Sequence, residues 1–301
     1  MVGVIFNMKI KAQIGQGKLA LITGGSSGIG YALADGLVKE GASVILVARR
    51  KALLDQSVSK LKTKVHLDNQ RVTGIPADVA DWGNVQALAR QLLEAGVVPD
   101  LIINSAGVVE PGYVQDLEIE HFHGMMDINY HGTVHVIKVF LPEMVKRKSG
   151  YIINISSGGG LVGLFGYTGY SGSKFAVRGF SDALRWELAP YRIGVSVVYP
   201  SDTETPQLEY DIQHKPAETK ALTEATGRIT AEKSAKEIIA AAKRGKKVIL
   251  PGFEAKLLYL LSTNFGGKVI EWGTQLILNR VARNRRNSGE LLSPQREKNN
   301  D

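Results

Sequence analysis

A tyrosine and a lysine four residues apart could carry out proton transfer. Tyr170 and Lys174 share one face of any helix that contains them, because side chains at i and i+4 are neighbours. A free phenol has a pKa of about 10, and a nearby cation lowers it. Tyr170 could therefore protonate the alkoxide that forms when hydride reaches a carbonyl carbon, or act as the base in reverse. Such a pair alone is also common on protein surfaces.

A serine at the end of a predicted strand strengthens this interpretation. Ser157 lies thirteen residues before Tyr170, and the glycines 158–160 come between them. A hydroxyl there can hydrogen-bond the substrate oxygen as its charge develops. Consecutive strand residues point to opposite faces, so only one of Ser156 and Ser157 faces the site. We predict Ser157 as the catalytic serine, with Ser156 as the alternative.

A glycine-rich turn follows the first predicted strand and opens the first helix. Its glycines permit a tight turn and a close ligand approach, and the helix N-terminus would face a pyrophosphate. The alternative is a plain tight turn, but the βαβ unit that follows favours nucleotide binding. The predicted dinucleotide contacts of this turn are Gly24, Ser26, Ser27, Gly28, Ile29 and Gly30.

Basic residues stand where a 2′-hydroxyl acceptor is expected. The second predicted strand ends at Arg49 and Arg50 rather than at an acidic residue, which suits a 2′-phosphate and hence NADPH. Charges at the exposed start of a helix are the alternative reading. Further predicted contacts are Asp78 and Val79 beside the adenine, and Asn104, Ala106 and Gly107 beside the ribose.

The elements that must position these residues alternate regularly. Apolar runs without polar alternation predict strands covered on both faces, and segments of helical periodicity separate them. The sequence therefore predicts an α/β fold, a doubly wound Rossmann-type parallel sheet of about seven strands with helices on both faces. Predicted strands are 18–23, 43–48, 71–76, 101–104, 151–156, 194–199 and 248–250; predicted helices are 29–40, 51–64, 82–95, 118–148, 171–191 and 231–244.

The chain divides into one domain and an appendage. Residues 1–252 form the predicted domain, which includes a polar, proline-punctuated flap at 201–228 placed to cover a substrate. Residues 253–286 are predicted to form an amphipathic helical extension, and residues 287–301 a disordered tail.

The motifs in their order resemble the short-chain dehydrogenases/reductases over about residues 18–206. The motifs are Thr23-Gly24-x-x-x-Gly28-x-Gly30, Asn104-x-Ala106-Gly107, Asn129, Ser157 and Tyr170-x-x-x-Lys174. The resemblance implies that Asn129 holds a water linking Lys174 to solvent. It also implies that Lys174 binds the nicotinamide ribose. Taken alone, Asn129 would be a polar residue inside a helix.

Two further stretches, 163–168 and 199–206, resemble the 3-ketodihydrosphingosine reductase branch, and 215–219 matches it more weakly. This implies NADPH-dependent reduction of a long-chain 2-amino-3-ketone. Pro200, Thr203 and Thr205 are predicted to contact the cofactor. Ser201 replaces the glycine of most of the wider family. We expect Asp202 or Glu204 to bind the substrate ammonium, unless these acids cap a helix or pair with surface lysines.

Other functions remain open from the residues alone. The catalytic residues report the reaction rather than the substrate, so a reductase of a steroid, retinoid or fatty acyl ketone is an alternative. A non-catalytic NADPH-binding scaffold is a second one, although the complete set of Asn129, Ser157, Tyr170 and Lys174 speaks against it. Only the net charge supports a nucleic-acid-binding function, because the sequence contains no recognition motif for nucleic acids.

Composition limits the chemistry and the partners. The 301 residues include no cysteine, which excludes disulfides and thiolate metal sites, and we predict no metal. The formal charge of +8 is partly local to Arg280, Arg283, Arg285 and Arg286, beside apolar patches that could lie on an anionic membrane. No long apolar run and no signal-peptide core are present, so we expect a cytoplasmic protein, peripheral on a membrane at most. The resemblance also implies a homodimer or homotetramer through helices 118–148 and 171–191.

Overall fold

The computed structural model describes residues 9–223, 227–264 and 267–288. Seven strands form one sheet in the order β3-β2-β1-β4-β5-β6-β9, and every neighbouring pair is parallel. A separate short parallel pair joins β7 to β8. The strands are β1 Leu19–Thr23, β2 Ser43–Ala48, β3 Val72–Pro76, β4 Leu101–Asn104, β5 Gly150–Ile155, β6 Ile193–Val198, β7 Thr203–Glu204, β8 Ile229–Thr230 and β9 Val248–Ile249.

Helices cover both faces of the sheet, which confirms the predicted doubly wound fold. On one face Leu33 and Ile238 pack against the strands, and on the other Phe140 does so, all three completely buried. This double cover explains why the strands are apolar throughout. The helices are α1 Gly28–Lys39, α2 Lys51–Lys62, α3 Trp82–Glu94, α4 Ile119–Met126, α5 Gly132–Arg147, α6 Thr168–Leu188, α7 Pro206–His214, α8 Ala217–Thr223, α9 Ala231–Lys243, α10 Phe253–Asn264 and α11 Lys268–Ser288.

The sheet has its topological switch point between β1 and β4. Thr23, the last residue of β1, is in register with Asn104, the last residue of β4. From β1 the chain runs outward to β2 and β3, and from β4 it runs the other way. Ligands of such sheets bind beyond the carboxyl ends of the strands at this point. The glycine turn that follows β1 lies there.

The segment predicted as one helix over 118–148 contains an irregular turn. Helices α4 and α5 are joined by a π-helical turn at Asp127–His131, in which the N–H of Gly132 donates to the carbonyl of Asp127. Such turns often occur at functional sites. The sequence period does not reveal them, because a single extra residue shifts the pattern only locally. Asn129 is the buried residue of this turn.

The predicted flap at 201–228 contains ordered structure. It contains β7, α7 and α8. Its residues 224–226 lie outside the described residues. Lys215, Glu218 and Thr219 are buried. The threonine hydroxyl donates to the carbonyl of Phe165 over 2.9 Å, and the Tyr113 hydroxyl donates to the Glu218 carboxylate over 2.8 Å. These contacts fasten the flap to the domain.

The C-terminal extension consists of α10 and α11 within the described residues, and it packs on the rest of the chain. Leu258 and Tyr259 of α10 lie against the cluster of Leu161, Val197 and Tyr199, and α11 packs against α8. Within the described ranges, none of the helices combines the length and apolarity needed to cross a membrane. Helix α11 ends at Ser288, so the segment predicted as a disordered tail is helical at residues 287 and 288; its residues 289–301 lie outside the described residues.

Ser201, which stands where most of the wider family has glycine, forms two hydrogen bonds through its hydroxyl. Its hydroxyl donates to the carbonyl of Pro251 over 3.1 Å and accepts the N–H of Ala255 over 3.0 Å. The N–H groups in the first turn of a helix need such an acceptor. Glycine could not supply one here. The serine therefore links the loop after β6 to the first turn of α10.

Candidate active site

Two clefts meet at the carboxyl ends of the strands. The first has a volume of about 240 Å³ and the second of about 140 Å³, and Gly24, Ser27 and Gly107 line both. Tyr170, Lys174 and the flap line the first cleft, whereas the ends of β2 and β3 line the second. A ligand as long as a dinucleotide can therefore lie across the glycine turn with one half in each cleft.

The glycine turn leaves room that a side chain would fill. Gly24 has φ +64°, a left-handed conformation that favours glycine, and an added Cβ would lie 2.8 Å from the carbonyl oxygen of Ser105. Gly28 has φ +55° and faces Thr205, whose Cγ2 would lie 3.1 Å from an added Cβ. The hydroxyl of Thr23 accepts the N–H groups of Ser105 and Ala106 at 3.1 Å each and so holds the two loops together.

The start of α1 fits a pyrophosphate. Ser27 occupies the N-cap position in an extended conformation, and in the described structure its side chain accepts no capping hydrogen bond. Gly28, Ile29 and Gly30, which open the helix, line the first cleft. The unpaired N–H groups of a helix start bind anions through hydrogen bonds and the helix dipole. The residues predicted from the sequence thus form a cradle of the right chemistry for a dinucleotide.

The second cleft contains the predicted adenosine residues. It is lined by Ser26, Arg49, Arg50, Asp78 and Val79, together with Ala106. Both arginines are exposed, and Arg49 Nη1 lies 3.8 Å from Asp78 Oδ2. At this exposure the ion pair contributes little to stability. Both guanidinium groups can therefore reorient towards a phosphate.

Tyr170, Ser157 and Lys174 come together in the first cleft. Burial raises the pKa of Tyr170 to about 12, a hydrogen bond with Ser157 opposes this rise, and the carboxylates of Asp211 and Asp202 add to it. Burial alone lowers the pKa of Lys174 to about 8. Its Nζ donates to the carbonyl of Ile155 over 3.1 Å and lies 5.6 Å from the centre of the Tyr170 ring.

The raised pKa of Tyr170 differs from the expectation that Lys174 would lower it. In the ligand-free protein, the cost of burying a phenolate outweighs the hydrogen bond with Ser157, which by itself would lower the pKa of Tyr170. Near neutral pH Tyr170 is therefore protonated. That is the form required to donate a proton to an alkoxide.

The structure distinguishes the two adjacent serines. The hydroxyl of Ser156 is buried and donates to the carbonyl of Lys174 over 3.0 Å, inside α6. The hydroxyl of Ser157 lies on the side of Tyr170 and also accepts the N–H of Gly159 over 3.2 Å. The geometry therefore favours Ser157 for the substrate contact and gives Ser156 a structural role.

Asn129 lies behind the catalytic lysine rather than on the cleft wall. Its amide exchanges two hydrogen bonds with the backbone of Val108, at 2.8 and 3.0 Å, and donates to the hydroxyl of Ser173 over 2.9 Å. A Cβ added to Gly107 would lie 3.1 Å from Asn129 Oδ1 and 3.3 Å from Lys174 Nζ. The glycine thus permits the close approach of the two side chains.

Asn104 is the predicted cofactor residue whose side chain the structure places elsewhere. It is buried at the end of β4, and its Nδ2 donates to Asn154 on the neighbouring strand over 2.9 Å. The side chain of Asn104 thus contributes to the packing within the sheet, whereas Ala106 and Gly107, in the loop after β4, line the second cleft.

The flap brings a mixed set of predicted and unpredicted residues to the first cleft. Pro200, Thr203 and Thr205, which are predicted to contact the cofactor, line this cleft, and Thr205 also provides the N-cap of α7. Asp202 lines the cleft as well, whereas Glu204 is exposed and is not among the lining residues. The acids therefore do not cap α7, and of the two acids expected to bind the substrate ammonium only Asp202 is in position.

Two residues of the cleft were missed by the sequence analysis. The hydroxyl of Tyr167 donates to both carboxylate oxygens of Asp211, at 2.8 Å each. Both residues line the cleft beside Tyr170. The signals in the sequence are the stretch 163–168, which contains Tyr167, and the spacing of Asp211 and Lys215, which is also that of an ordinary pair on a helix surface.

Comparison with known proteins agrees with this geometry. The short chain dehydrogenase family model matches residues 18–216. The 3-dehydrosphinganine reductase of Danio rerio is 40% identical over 230 residues, which are 76% of this chain and 69% of the relative. The 3-ketodihydrosphingosine reductase of Dictyostelium discoideum is 34% identical over 276 residues, 86% of this chain and 83% of the relative.

A solved structure shows the same fold with ligands present. The crystal structure of L-sorbose reductase from Gluconobacter frateurii complexed with NADPH and L-sorbose has a TM-score of 0.68 and 26% identity, and covers 80% of this chain and 95% of its own. The matched family model spans the glycine turn and the Ser157, Tyr170 and Lys174 group. This chain belongs to the short-chain dehydrogenase family and is an NAD(P)(H)-dependent oxidoreductase.

Proposed function

We propose that the protein reduces 3-ketodihydrosphingosine to dihydrosphingosine with NADPH. The observation that carries this proposal is the cleft beside Tyr170, in which a proton-donating phenol and a flap carboxylate, Asp202, line one space. A ketone with a neighbouring ammonium group offers partners to both. The names of the relatives in Danio rerio and Dictyostelium discoideum support the same substrate.

Each residue of the site would have a separate role in the reduction. NADPH, when bound, supplies the hydride. Tyr170 donates its proton to the oxygen that becomes the alcohol, and Ser157 hydrogen-bonds the same oxygen as charge develops on it. Lys174, protonated below a pKa of about 8, binds the nicotinamide ribose. Asn129 positions the loop that carries Val108 and would bind the water beside the lysine.

The preference for NADPH rests on Arg49 and Arg50. Both line the second cleft, where the 2′-phosphate of the adenine ribose would lie. A guanidinium forms paired, charge-assisted hydrogen bonds with a phosphate. NADH lacks that phosphate, so it would leave these contacts unmade. The residues that would select the cofactor therefore lie in a different cleft from Tyr170, which would donate the proton.

Turnover in mixed micelles tests the proposal directly. We expect wild-type protein to oxidise NADPH in the presence of 3-ketodihydrosphingosine, and Tyr170→Phe to lose at least about a hundredfold in kcat, a typical contribution of a general acid. Tyr191→Phe, which alters an exposed tyrosine, is the matched control. A steroid, retinoid or fatty acyl ketone that is reduced faster would replace the substrate and keep the chemistry.

We also propose that the extension contacts a membrane surface. Exposed apolar side chains line α10 and α11, among them Phe253, Leu257, Trp272 and Leu276. Exposed basic residues accompany them, including Lys256, Lys268, Arg280 and Arg283; the side chains of Arg285 and Arg286 lie outside the described residues. An apolar face with flanking cations binds anionic lipid surfaces. A lipid substrate would be drawn from such a surface.

Substitution tests this contact better than truncation, because α10 covers the buried cluster at Tyr199. We expect wild-type protein to co-sediment with anionic vesicles and a variant with Trp272→Glu and Leu276→Glu to lose this binding at unchanged melting temperature. Unchanged partitioning would refute the membrane contact.

The protein would also form a homodimer or homotetramer through α4, α5 and α6. Exposed large side chains on these helices, namely Ile119, Phe175 and Trp186, provide an apolar contact area. Sedimentation equilibrium of wild type and Phe175→Glu tests this, with a shift towards monomer expected for the variant.

A further inference from the structure

Two carboxylates but only one ammonium group lie on the described wall of the cleft beside Tyr170, and a second ammonium, that of Lys215, pairs with Asp211 from outside the wall at 3.3 Å. Among the residues described as lining it, the charged ones are Lys174, Asp202 and Asp211. The whole sequence, by contrast, carries a formal charge of +8. The ammonium of Lys174 is already engaged by the carbonyl of Ile155. The cleft therefore favours a ligand that brings a positive group with it.

Asp211 is fixed in orientation by two partners, Tyr167 on the cleft wall and the buried Lys215. Tyr167 donates to both of its oxygens, and Lys215 Nζ lies 3.3 Å from Oδ2. Lys215 is buried and is not among the residues that line the cleft. A carboxylate offers about four lone-pair sites, and the hydrogen bonds described for Asp211 occupy three. Asp211 therefore retains acceptor capacity, and it lines the cleft.

Both carboxylates act on the proton donor. Asp211 and Asp202, in that order, add to the effect of burial in raising the pKa of Tyr170. A phenol with a raised pKa is a weaker acid, so these carboxylates oppose proton donation to an alkoxide. A cation held at Asp211 would cancel their effect on the phenol. A substrate that carries an ammonium group would therefore improve the acid that reduces it.

We propose that Asp211, together with Asp202, forms the binding site for the substrate ammonium, and that Asp211 distinguishes a 2-amino ketone from a ketone without the amine. This inference rests on the proposed function, since it assigns a recognition residue to that reaction. Asp211 lies on α7, and Tyr167 lies three residues before Tyr170 in the chain. The Tyr167–Asp211 contact thus holds the ammonium site in a fixed relation to the proton donor.

The test compares two ketones and two ligands. The ketones are 3-ketodihydrosphingosine and its analogue without the 2-amino group, and kcat/KM is measured for each with wild type, Asp211→Asn and Glu209→Gln. Glu209 is an exposed carboxylate on the same helix and serves as the matched control. A double variant, Asp211→Asn with Lys215→Met, avoids leaving a buried ammonium without its partner. Calorimetric binding of dihydrosphingosine and of its deaminated counterpart gives a readout that needs no turnover.

A charge-assisted hydrogen bond is worth roughly 1.5–3 kcal/mol, so we expect both Asp211 variants to lose about tenfold or more in kcat/KM for the amino ketone. The deaminated ketone should be reduced as well as before, or better, and Glu209→Gln should match wild type. The variants should also bind the amine ligand more weakly and the deaminated ligand unchanged.

Equal losses for both ketones and both ligands would overturn the inference and leave Asp211 as an anchor of the flap or a neighbour of the oxidised nicotinamide. Failure of the proposed function looks different. Wild type would then reduce neither ketone although it binds NADPH, and the two calorimetric ligands would still decide whether Asp211 selects an ammonium group.

Discussion

Replacing the catalytic lysine should abolish turnover and stabilise the ligand-free protein. Lys174 is 4% exposed, and burial lowers its pKa from 10.5 to about 8. A tenfold change in proton affinity equals about 1.4 kcal/mol, so the charged lysine costs the native state roughly 3 kcal/mol. Lys174→Met removes this cost and also the hydrogen bond to Ile155, worth about 1 kcal/mol. The net gain is about 2 kcal/mol, or roughly 4 °C in Tm for a chain of this size.

The pH dependence of this gain identifies its cause. Below about pH 8 the lysine is charged in the folded and the unfolded protein, and the full cost is present. Between about pH 8 and 10.5 the folded protein has lost this proton while the unfolded chain retains it, so the cost declines, and above 10.5 it is gone. The stability advantage of Lys174→Met over wild type should therefore be largest at neutral pH and reverse by pH 10.5, where only the lost hydrogen bond to Ile155 remains and makes the variant about 1 kcal/mol less stable.

Urea denaturation of the ligand-free proteins at pH 7 and at pH 10.5 measures this advantage. Lys236→Met changes an exposed lysine and should give no comparable gain. A Lys174→Met protein that is less stable than wild type at pH 7, or a gain that does not change with pH, would refute the burial argument.

Four further predictions concern the clefts and the link to α10. The kcat/KM for NADPH, which reports the free enzyme, should fall above about pH 8 as Lys174 loses its proton. Gly107→Ala should lower kcat strongly and the free energy of unfolding only slightly, because the new Cβ would lie 3.3 Å from the ammonium of Lys174. Arg49→Ala with Arg50→Ala should raise the KM for NADPH about tenfold or more and leave that for NADH unchanged. Ser201→Gly should lower the free energy of unfolding by about 1 kcal/mol, measured with urea, since the N–H of Ala255 loses its acceptor.

Matched variants separate these effects from general disturbance. Gly172→Ala adds a Cβ to α6 where nothing lies within 4 Å, so it should not reproduce the loss in kcat. Lys51→Ala removes an exposed cation next to the two arginines and should leave the ratio of NADPH to NADH activity unchanged. Equal effects of the arginine substitutions on both cofactors would contradict the assignment of the 2′-phosphate site.

The sequence by itself determined the fold and the proton-transfer group. Strand and helix periods depend on neighbours along the chain, and the predicted strand Ser43–Ala48 has the same ends in the structure. The motifs at the strand ends are equally local, so Gly24, Ser157, Tyr170 and Lys174 could be predicted to meet once the strands were known to be parallel.

Only the tertiary structure decided which polar residues face the cleft. Tyr167 and Asp211 lie 44 residues apart in the chain and meet because the flap brings α7 to the N-cap residue of α6. The same folding brings Asp202 to the cleft and leaves Glu204 exposed. The directions of these side chains, like that of Asn104, depend on the backbone path at the end of a strand or in an irregular segment, and no period in the sequence encodes that path. The placement of the flap depends on long-range contacts with Phe165 and Tyr113, which composition and spacing do not specify.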